Sequence, residues 1–304
     1  EHLSDMVERY DKPVAYYVST DAQEVSYLKQ NYNFPIFTRV VETIRALQTS
    51  YQHSFQSQRV HLGEEITTFE VGKPVVNSLI HQAKAAERDL LLSESLEILE
   101  HYGIPTIRSV VAMTVKEAQE AAQEMGYPVA IKIVAGQISH KSDVGGVQLN
   151  LRNGPALAAA FEDMMARIQK AYPGVKIDGV MVQPMVTGGM ELILGGRQDP
   201  QFGPVILVGL GGIFVEIFDE AVVRVAPISR TEALEMIESL RGVQILKGAR
   251  GHKPADIEAV VEALLRLSQL MTDFPEIKEL DINPLRVFHQ GEGVRALDAR
   301  VLME

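Results

Sequence analysis

Asp281-Ile282-Asn283-Pro284-Leu285, running on to Asp298, and Val129-Ala130-Ile131-Lys132-Ile133-Val134, running into His140-Lys141-Ser142-Asp143-Val144-Gly145-Gly146, are the stretches that decide the reading of this chain. The late segment supplies oxygen ligands. The early one is an apolar strand with one cation, followed by a histidine in a loop closed by two glycines. Together they point to a magnesium–nucleotide site able to phosphorylate a histidine.

Working outward, each residue also has a plainer reading. Lys132 lies inside an apolar strand, where a charge is costly unless it is paired. It is either an edge-strand lysine carrying its ammonium out to water or a cation projecting onto phosphates. His140 is either a surface residue or a nucleophile, since a neutral imidazole attacks phosphorus readily near pH 7. Asn283 and Asp298 are either a turn and a solvated strand end or a neutral and an anionic donor. Magnesium bound with a nucleotide needs only one or two protein oxygens. Asp281, one alternation from Asn283, points the same way and is a third acid or an ion-pair partner.

Gly209-Leu210-Gly211-Gly212 follows the apolar strand 204–208 and is either a tight turn or a phosphate cradle, through Gly211 and Gly212. Glu216 and Arg224 read as ordinary ion-pair members. Gln183-Pro184-Met185 ends a strand and is a candidate frame for adenine through backbone groups. Glu191 is a candidate acceptor for ribose hydroxyls.

Around these residues the pattern is that of an α/β protein. Residues 14–18 and 35–37 read as short strands. Thr20 with Gln23 reads as a capping box opening a helix to about residue 30, and Val40, Ile44 and Leu47 have helical spacing. Two such β-α units cannot close a core alone, so residues 1–57 should dock on something or belong to a Rossmann-like sheet begun upstream. The chain reads as a fragment lacking upstream sequence. Residues 58–77, polar and carrying Gly63, Gly72 and Pro74, form the linker candidate.

From residue 78 a helix to about 88 is followed by one from Ser93, an N-cap, to Tyr102. Thr114 and Glu117 cap a helix ending at Gly126. Val147, Leu149 and Leu151 alternate as in a half-buried strand, before a helix to Ala171 and a strand over 180–182. A second lobe has strands near 190–196, 204–209 and 213–218, a helix capped by Ser229 and Glu232, and an amphipathic helix through Ile257, Val260, Val261, Leu264 and Leu265. Strands before Asp281 and over 294–297 complete it.

Composition narrows the function. The formal charge of −11, from 29 basic and 40 acidic residues, opposes general nucleic-acid binding, which needs clustered Lys and Arg. With no cysteine there is no disulfide, thiol catalysis or cysteine zinc site, and a reducing cytoplasm is the expected compartment. No apolar run approaches the roughly 20 residues of a membrane span, so no membrane partner is expected.

In combination these segments resemble the ATP-grasp portion of the ADP-forming (NDP-forming) acyl-CoA synthetases, relatives of succinyl-CoA synthetase. The resemblance is carried by Gly126 to Lys132, His140 to Val147, Asp199-Pro200-Gln201-Phe202-Gly203-Pro204, Gly211 to Glu216, Arg224-Val225-Ala226-Pro227, Leu280 to Leu285 and Leu297-Asp298-Ala299-Arg300. It covers roughly residues 90–304. Residues 1–57 are similar, more weakly, to the end of the flavodoxin-like ligase domain that precedes the ATP-grasp in single-chain members.

The resemblance implies an ATP-grasp fold of two α/β lobes over 78–304. It implies ATP/ADP and Mg²⁺ as cofactors and a relay in which acid, ATP and CoA give acyl-CoA, ADP and phosphate through a phosphohistidine. By position, His140 is the nucleophile, Lys132 holds phosphates and Asn283 with Asp298 hold Mg²⁺. Gln183 and Met185 fall in the adenine hinge, Glu191 near the ribose, and Gly211 and Gly212 beside the nucleotide. The CoA-binding domain that takes the small carboxylic acid and CoA would lie upstream or on a separate chain, so this chain is expected to be a partial enzyme within an oligomer. Two other functions fit the same motifs: a nucleotide-sensing region of a protein acetyltransferase, and an ATP-grasp ligase joining a carboxylate to an amine.

Overall fold

The computed structural model describes residues 13–32, 35–62, 65–138, 144–212, 221–248 and 253–303. The chain divides into two compact units, Glu1–Glu65 and Ile66–Glu304.

In the first unit β1 (Tyr16–Tyr17) pairs in parallel with β2 (Ile36–Phe37), the two joined through α1 (Ala22–Asn31) and followed by α2 (Val40–Leu62). The parallel pair with its helical crossover is the expected β-α repeat. The N-cap is Asp21 rather than Thr20. Its carboxylate accepts from the N–H groups of Gln23 and Glu24, both at 2.9 Å, and a carboxylate at a helix start outcompetes a hydroxyl. Tyr17, Tyr27, Val40, Val41, Ile44 and Tyr51 are exposed, so this unit has almost no core among its described residues.

The second unit contains two antiparallel sheets. Before them, α3 (Lys73–Ala85) and α4 (Leu92–His101) pack on the larger core. Of the expected linker 58–77, residues up to Leu62 are helical and Lys73 opens α3. Pro74 marks the linker candidate in the sequence, yet it occupies the first turn of α3, where a missing N–H costs no hydrogen bond. The N-cap of α4 is Leu91, not Ser93: the Glu94 carboxylate takes the Leu91 N–H at 2.7 Å while Arg88 grips it at 2.7 and 2.8 Å.

The smaller sheet has the order β3 (Val110–Ala112), β6 (Gly179–Pro184), β4 (Val129–Val134), β5 (Val147–Leu151). Helices α5 (Val115–Met125) and α6 (Gly154–Ala171) cover one face, packing on Val129, Ile131 and Ile133. Thr114 caps α5 as expected. β5 departs from its expected alternation, since Leu149 is 59% exposed. Between the Val129–Leu151 and Ile131–Gln148 pairs β5 holds one residue too many, with Asn150 at φ 59°. This bulge turns Leu149 outward.

The larger sheet has the order β11 (Val294–Ala296), β10 (Ile277–Val287), β7 (Met190–Asp199), β8 (Gly203–Leu210), β9 (Ala221–Val225), with β12 (Ala299–Met303) also on β10. Its core face is covered by α7 (Arg230–Glu238), α8 (Val243–Leu246) and the amphipathic α9 (Ile257–Asp273). Ser229 and Glu232 form the expected capping box of α7. The strand expected over 213–218 lies outside the described residues. Asp256 accepts from Ala259 N at 3.2 Å and from Gly291 and Gly293 N at 2.9 Å, so one buried carboxylate starts α9 and closes the β10–β11 hairpin.

Candidate nucleotide site

Alternation in β4 sends Val129, Ile131 and Ile133 to the helices and Ala130, Lys132 and Val134 to the opposite face. In β6 the same rule sends Val180 and Val182 to the helices, leaving Met181 and Gln183 beside Lys132. β4 lies between β5 and β6, so Lys132 is not on an edge, and its residue is only 7% exposed. The reading of a lysine reaching water from an edge strand is therefore corrected. A buried ammonium must be paired, and its partner comes from the other sheet: Lys132 Nζ donates to Asp298 Oδ2 at 2.7 Å and to Leu297 O at 2.8 Å.

On the larger sheet, Leu280, Ile282, Leu285 and Val287 are buried in the core, which leaves Asp281, Asn283 and Arg286 on the other face. Asn283-Pro284 is not a turn. β10 continues through it, with one extra residue against β7 between the Ile282–Leu194 and Leu285–Leu192 pairs. Asn283 N donates to Asp298 O at 3.2 Å and Leu297 N to Pro284 O at 3.0 Å, which fixes the two expected metal donors side by side. The segment entering the smaller lobe is tied to the same place, for Ala296 N donates to Pro105 O at 2.8 Å.

Asp281 faces Arg300 across the β10–β12 pairing. Burial, then the charges of Glu279 and Asp298, push its carboxyl up to about 6 despite Arg300. Beside it a cavity of about 370 Å³ is lined by Gly195, Arg197, Leu207, Val223 and Glu279, on the face of the larger sheet opposite its helices. Among the described residues no three His, Asp or Glu side chains converge. One carboxylate and one carboxamide oxygen fit magnesium arriving with a nucleotide, which brings its own oxygens, and do not fit an all-protein metal cage.

Glu191 stands further along, opposite Arg286 in the β7–β10 register. Its Oε1 accepts from Arg286 Nη2 at 2.7 Å, and its backbone carbonyl accepts from Gly211 N at 2.7 Å. Gly211 and Gly212 thus rest on Glu191, the former against its backbone and the latter against its carboxylate. Gln183 is 2% exposed and donates to Ser109 Oγ at 3.0 Å, while the Met185 N–H goes to Pro128 O at 3.0 Å. Arg224 Nη1 donates to Val223 O at 2.9 Å.

Lys132, Asn283, Asp298 and Asp281 are therefore brought together, and Glu191, Gly211 and Gly212 form a second group on the same sheet. His140 and Glu216 lie outside the described residues. The sequence reading missed Arg286; its position one residue beyond Leu285 in a strand was the available signal, since charges there must leave the core.

A family model described as "ATP-grasp domain" matches residues 82–303. An ADP-forming acetate–CoA ligase I subunit beta of Pyrococcus furiosus is 44% identical over 225 residues, covering 74% of this chain and 96% of that one. A 4-hydroxybutyrate–CoA ligase (ADP-forming) of Nitrosopumilus maritimus is 41% identical over 270 residues, 88% of this chain but 38% of that relative. The chain thus spans under two fifths of that relative's length. Among solved structures, a Pyrococcus horikoshii protein aligns at TM-score 0.74 with 39% identity, covering 77% of this chain and 99% of that one. An acetyl-coenzyme A synthetase chain of Candidatus Korarchaeum cryptofilum aligns at TM-score 0.65 with 36% identity, covering 75% and 100%. It was solved with coenzyme A and Mg-AMPPCP, its phosphohistidine segment pointing towards the nucleotide binding site. These names are those of ligases and favour catalysis over nucleotide sensing.

Proposed function

We propose, since the chain belongs to the ATP-grasp family and within it to the nucleotide-handling subunits of ADP-forming acid–CoA ligases, that it passes phosphate between ATP/ADP and His140 in the assembly of acyl-CoA from acid, ATP and CoA. The observation that carries this reading is the convergence of Lys132, Asn283 and Asp298 from two sheets onto one spot.

Lys132 would donate to the nucleotide phosphates as a compact, fully charged donor. Asn283 and Asp298 would hold Mg²⁺, which when bound neutralises charge on the phosphates. The His140 imidazole would form the P–N bond as the bond to the ADP oxygen breaks, with Lys132 holding the departing charge. Glu191 would accept from the ribose hydroxyls, and Gln183 and Met185 would border the base, Met185 through its carbonyl because its N–H is engaged. Arg286 lies three residues from Asn283, roughly 10 Å along a strand, a span comparable to that from sugar to terminal phosphate.

Relatives named as beta subunits imply a second, CoA-binding component, either upstream or on another chain. We assign the acid and CoA to that component, place the assembly in the cytoplasm, and read residues 1–57 as the end of a flavodoxin-like domain. The exposed Tyr17, Tyr27, Val40 and Ile44 support this last assignment, because a complete domain would bury them. No helix among the described residues is long and apolar enough to cross a membrane.

The test is incubation with γ-labelled ATP and Mg²⁺. Acid-labile label that His140→Ala abolishes is the expected result. Folded protein that binds ATP and stays unlabelled overturns the relay.

A further inference from the structure

Arg286 donates one hydrogen bond to Glu191, and three independent features meet at that pair. The first is the pair itself: Arg286 Nη2 lies 2.7 Å from Glu191 Oε1, with side chains 19% and 30% exposed. The second is the guanidinium's surroundings. Its Nε–H is buried and has no acceptor among the described residues. Its stem runs beneath Gly189, at φ +70°, where an added Cβ would sit 3.1 Å from Arg286 Cδ and 2.7 Å from Val287 O. Gly189 belongs to the connection between β6 of the smaller sheet and β7 of the larger, so Arg286 braces the joint between the lobes. The third is Gly212, at φ +61°, where an added Cβ would lie 2.7 Å from Glu191 Oε2.

The two carboxylate oxygens are thereby made unequal. Oε1 is taken by the guanidinium. Oε2 lies over a residue with no side chain, so its remaining lone pairs stay open to a donor. A planar guanidinium fixes a carboxylate's direction better than an ammonium does, because its fork leaves fewer orientations.

We propose that Arg286 is a positioning residue which fixes Glu191 for the sugar diol of a ribonucleotide, Oε2 accepting from one hydroxyl. The site therefore distinguishes ribose from deoxyribose, and Gly212 and Gly189 are glycines because side chains there would displace the carboxylate or the guanidinium. This rests on the nucleotide reading given above.

The experiment is calorimetric titration of the full chain with ADP, 2′-deoxyADP and 3′-deoxyADP, alongside melting temperatures. For the wild type, at least one deoxy analogue should bind about 10- to 100-fold more weakly, the worth of a hydrogen bond to a charged group. In Arg286→Gln that ratio should fall to within about threefold of unity, as expected when the bond is no longer aligned, and Arg286→Lys should restore only part of it. A merely structural role would lower the melting temperature and weaken all three ligands equally, leaving the ratio intact. A folded Arg286→Gln protein with the wild-type ratio overturns the proposal. Should that variant be too unstable to titrate, Glu191→Gln carries the test, with loss of the ratio expected and its retention fatal. Wild type that binds ADP without discriminating sinks this inference alone; wild type that binds no adenine nucleotide sinks the proposed function as well.

Discussion

Two carboxylates near Lys132 show how far one side chain's surroundings fix its chemistry. The Lys132–Asp298 pair is nearly closed to water on the lysine side and partly open on the other. Replacing Lys132 by Met leaves Asp298 without its cation and should cost about 1–3 kcal/mol, less than a fully buried pair because Asp298 keeps some water. The same variant should weaken ADP binding by more than about tenfold, since a charge-assisted bond to phosphate is lost. Thermal melts and calorimetry separate the two effects. Asp281 behaves differently, because burial raises its folded pKa to about 6 from 3.8. Between roughly pH 4 and 6 the folded state holds the proton more often than the unfolded state, so stability falls as pH rises through that window. Below it Asp281 contributes no penalty. Asp281→Asn should therefore stabilise the ligand-free protein at pH 7.5, by on the order of 2 kcal/mol, with no gain left below about pH 4. Equal pH profiles for the two proteins would refute this. At this scale Lys132 stood out in the sequence because a charge inside an apolar run demands an explanation. Arg286 did not stand out, because its partner is 95 residues away and its only local signal is its place one residue beyond a buried leucine.

At the scale of elements, periodicity served well where one face meets a core and less well where another force intervened. The helix α9 was legible from its apolar stripe, and Val260, Val261, Leu264, Leu265, Leu267 and Leu270 are all buried. Leu264→Ala should cost about 3 kcal/mol through lost burial and a residual cavity, measurable in urea unfolding. The capping box of α7 was equally legible, and Ser229→Ala should cost about 1 kcal/mol, read from the same transitions. β5 was misread because a bulge, invisible in the alternation, reverses the facing of Leu149. The cap of α1 slipped by one residue, from Thr20 to the stronger acceptor Asp21, and that of α4 by two, from Ser93 to the apolar Leu91, whose N–H the Glu94 carboxylate takes. Asn283-Pro284 resembled a turn for a similar reason: proline normally breaks a ladder, but here it sits at a register shift that removes the need for its N–H.

For the whole molecule, nearly all described burial lies in the second unit, including both cores. A chain starting at residue 66 should therefore unfold cooperatively with a melting temperature close to that of the full chain, as scanning calorimetry would register. Within that unit Phe69 shows why the start matters: its N–H and carbonyl pair with the Gln269 amide, and Arg266 stacks 4.0 Å from its ring. Without residues 66–72, α9 would lose that cover. The sequence alone determined the α/β character and the order of most elements, because each is written in local spacing and local chemistry. Only tertiary structure decided that Lys132 is interior and paired to Asp298 from the opposite sheet, that Glu191 is bonded to Arg286, and that burial raises the Asp281 carboxyl above its usual range. Those facts depend on which strands become neighbours, and neighbours as far apart in sequence as Lys132 and Asp298 are chosen by the closing of the whole core.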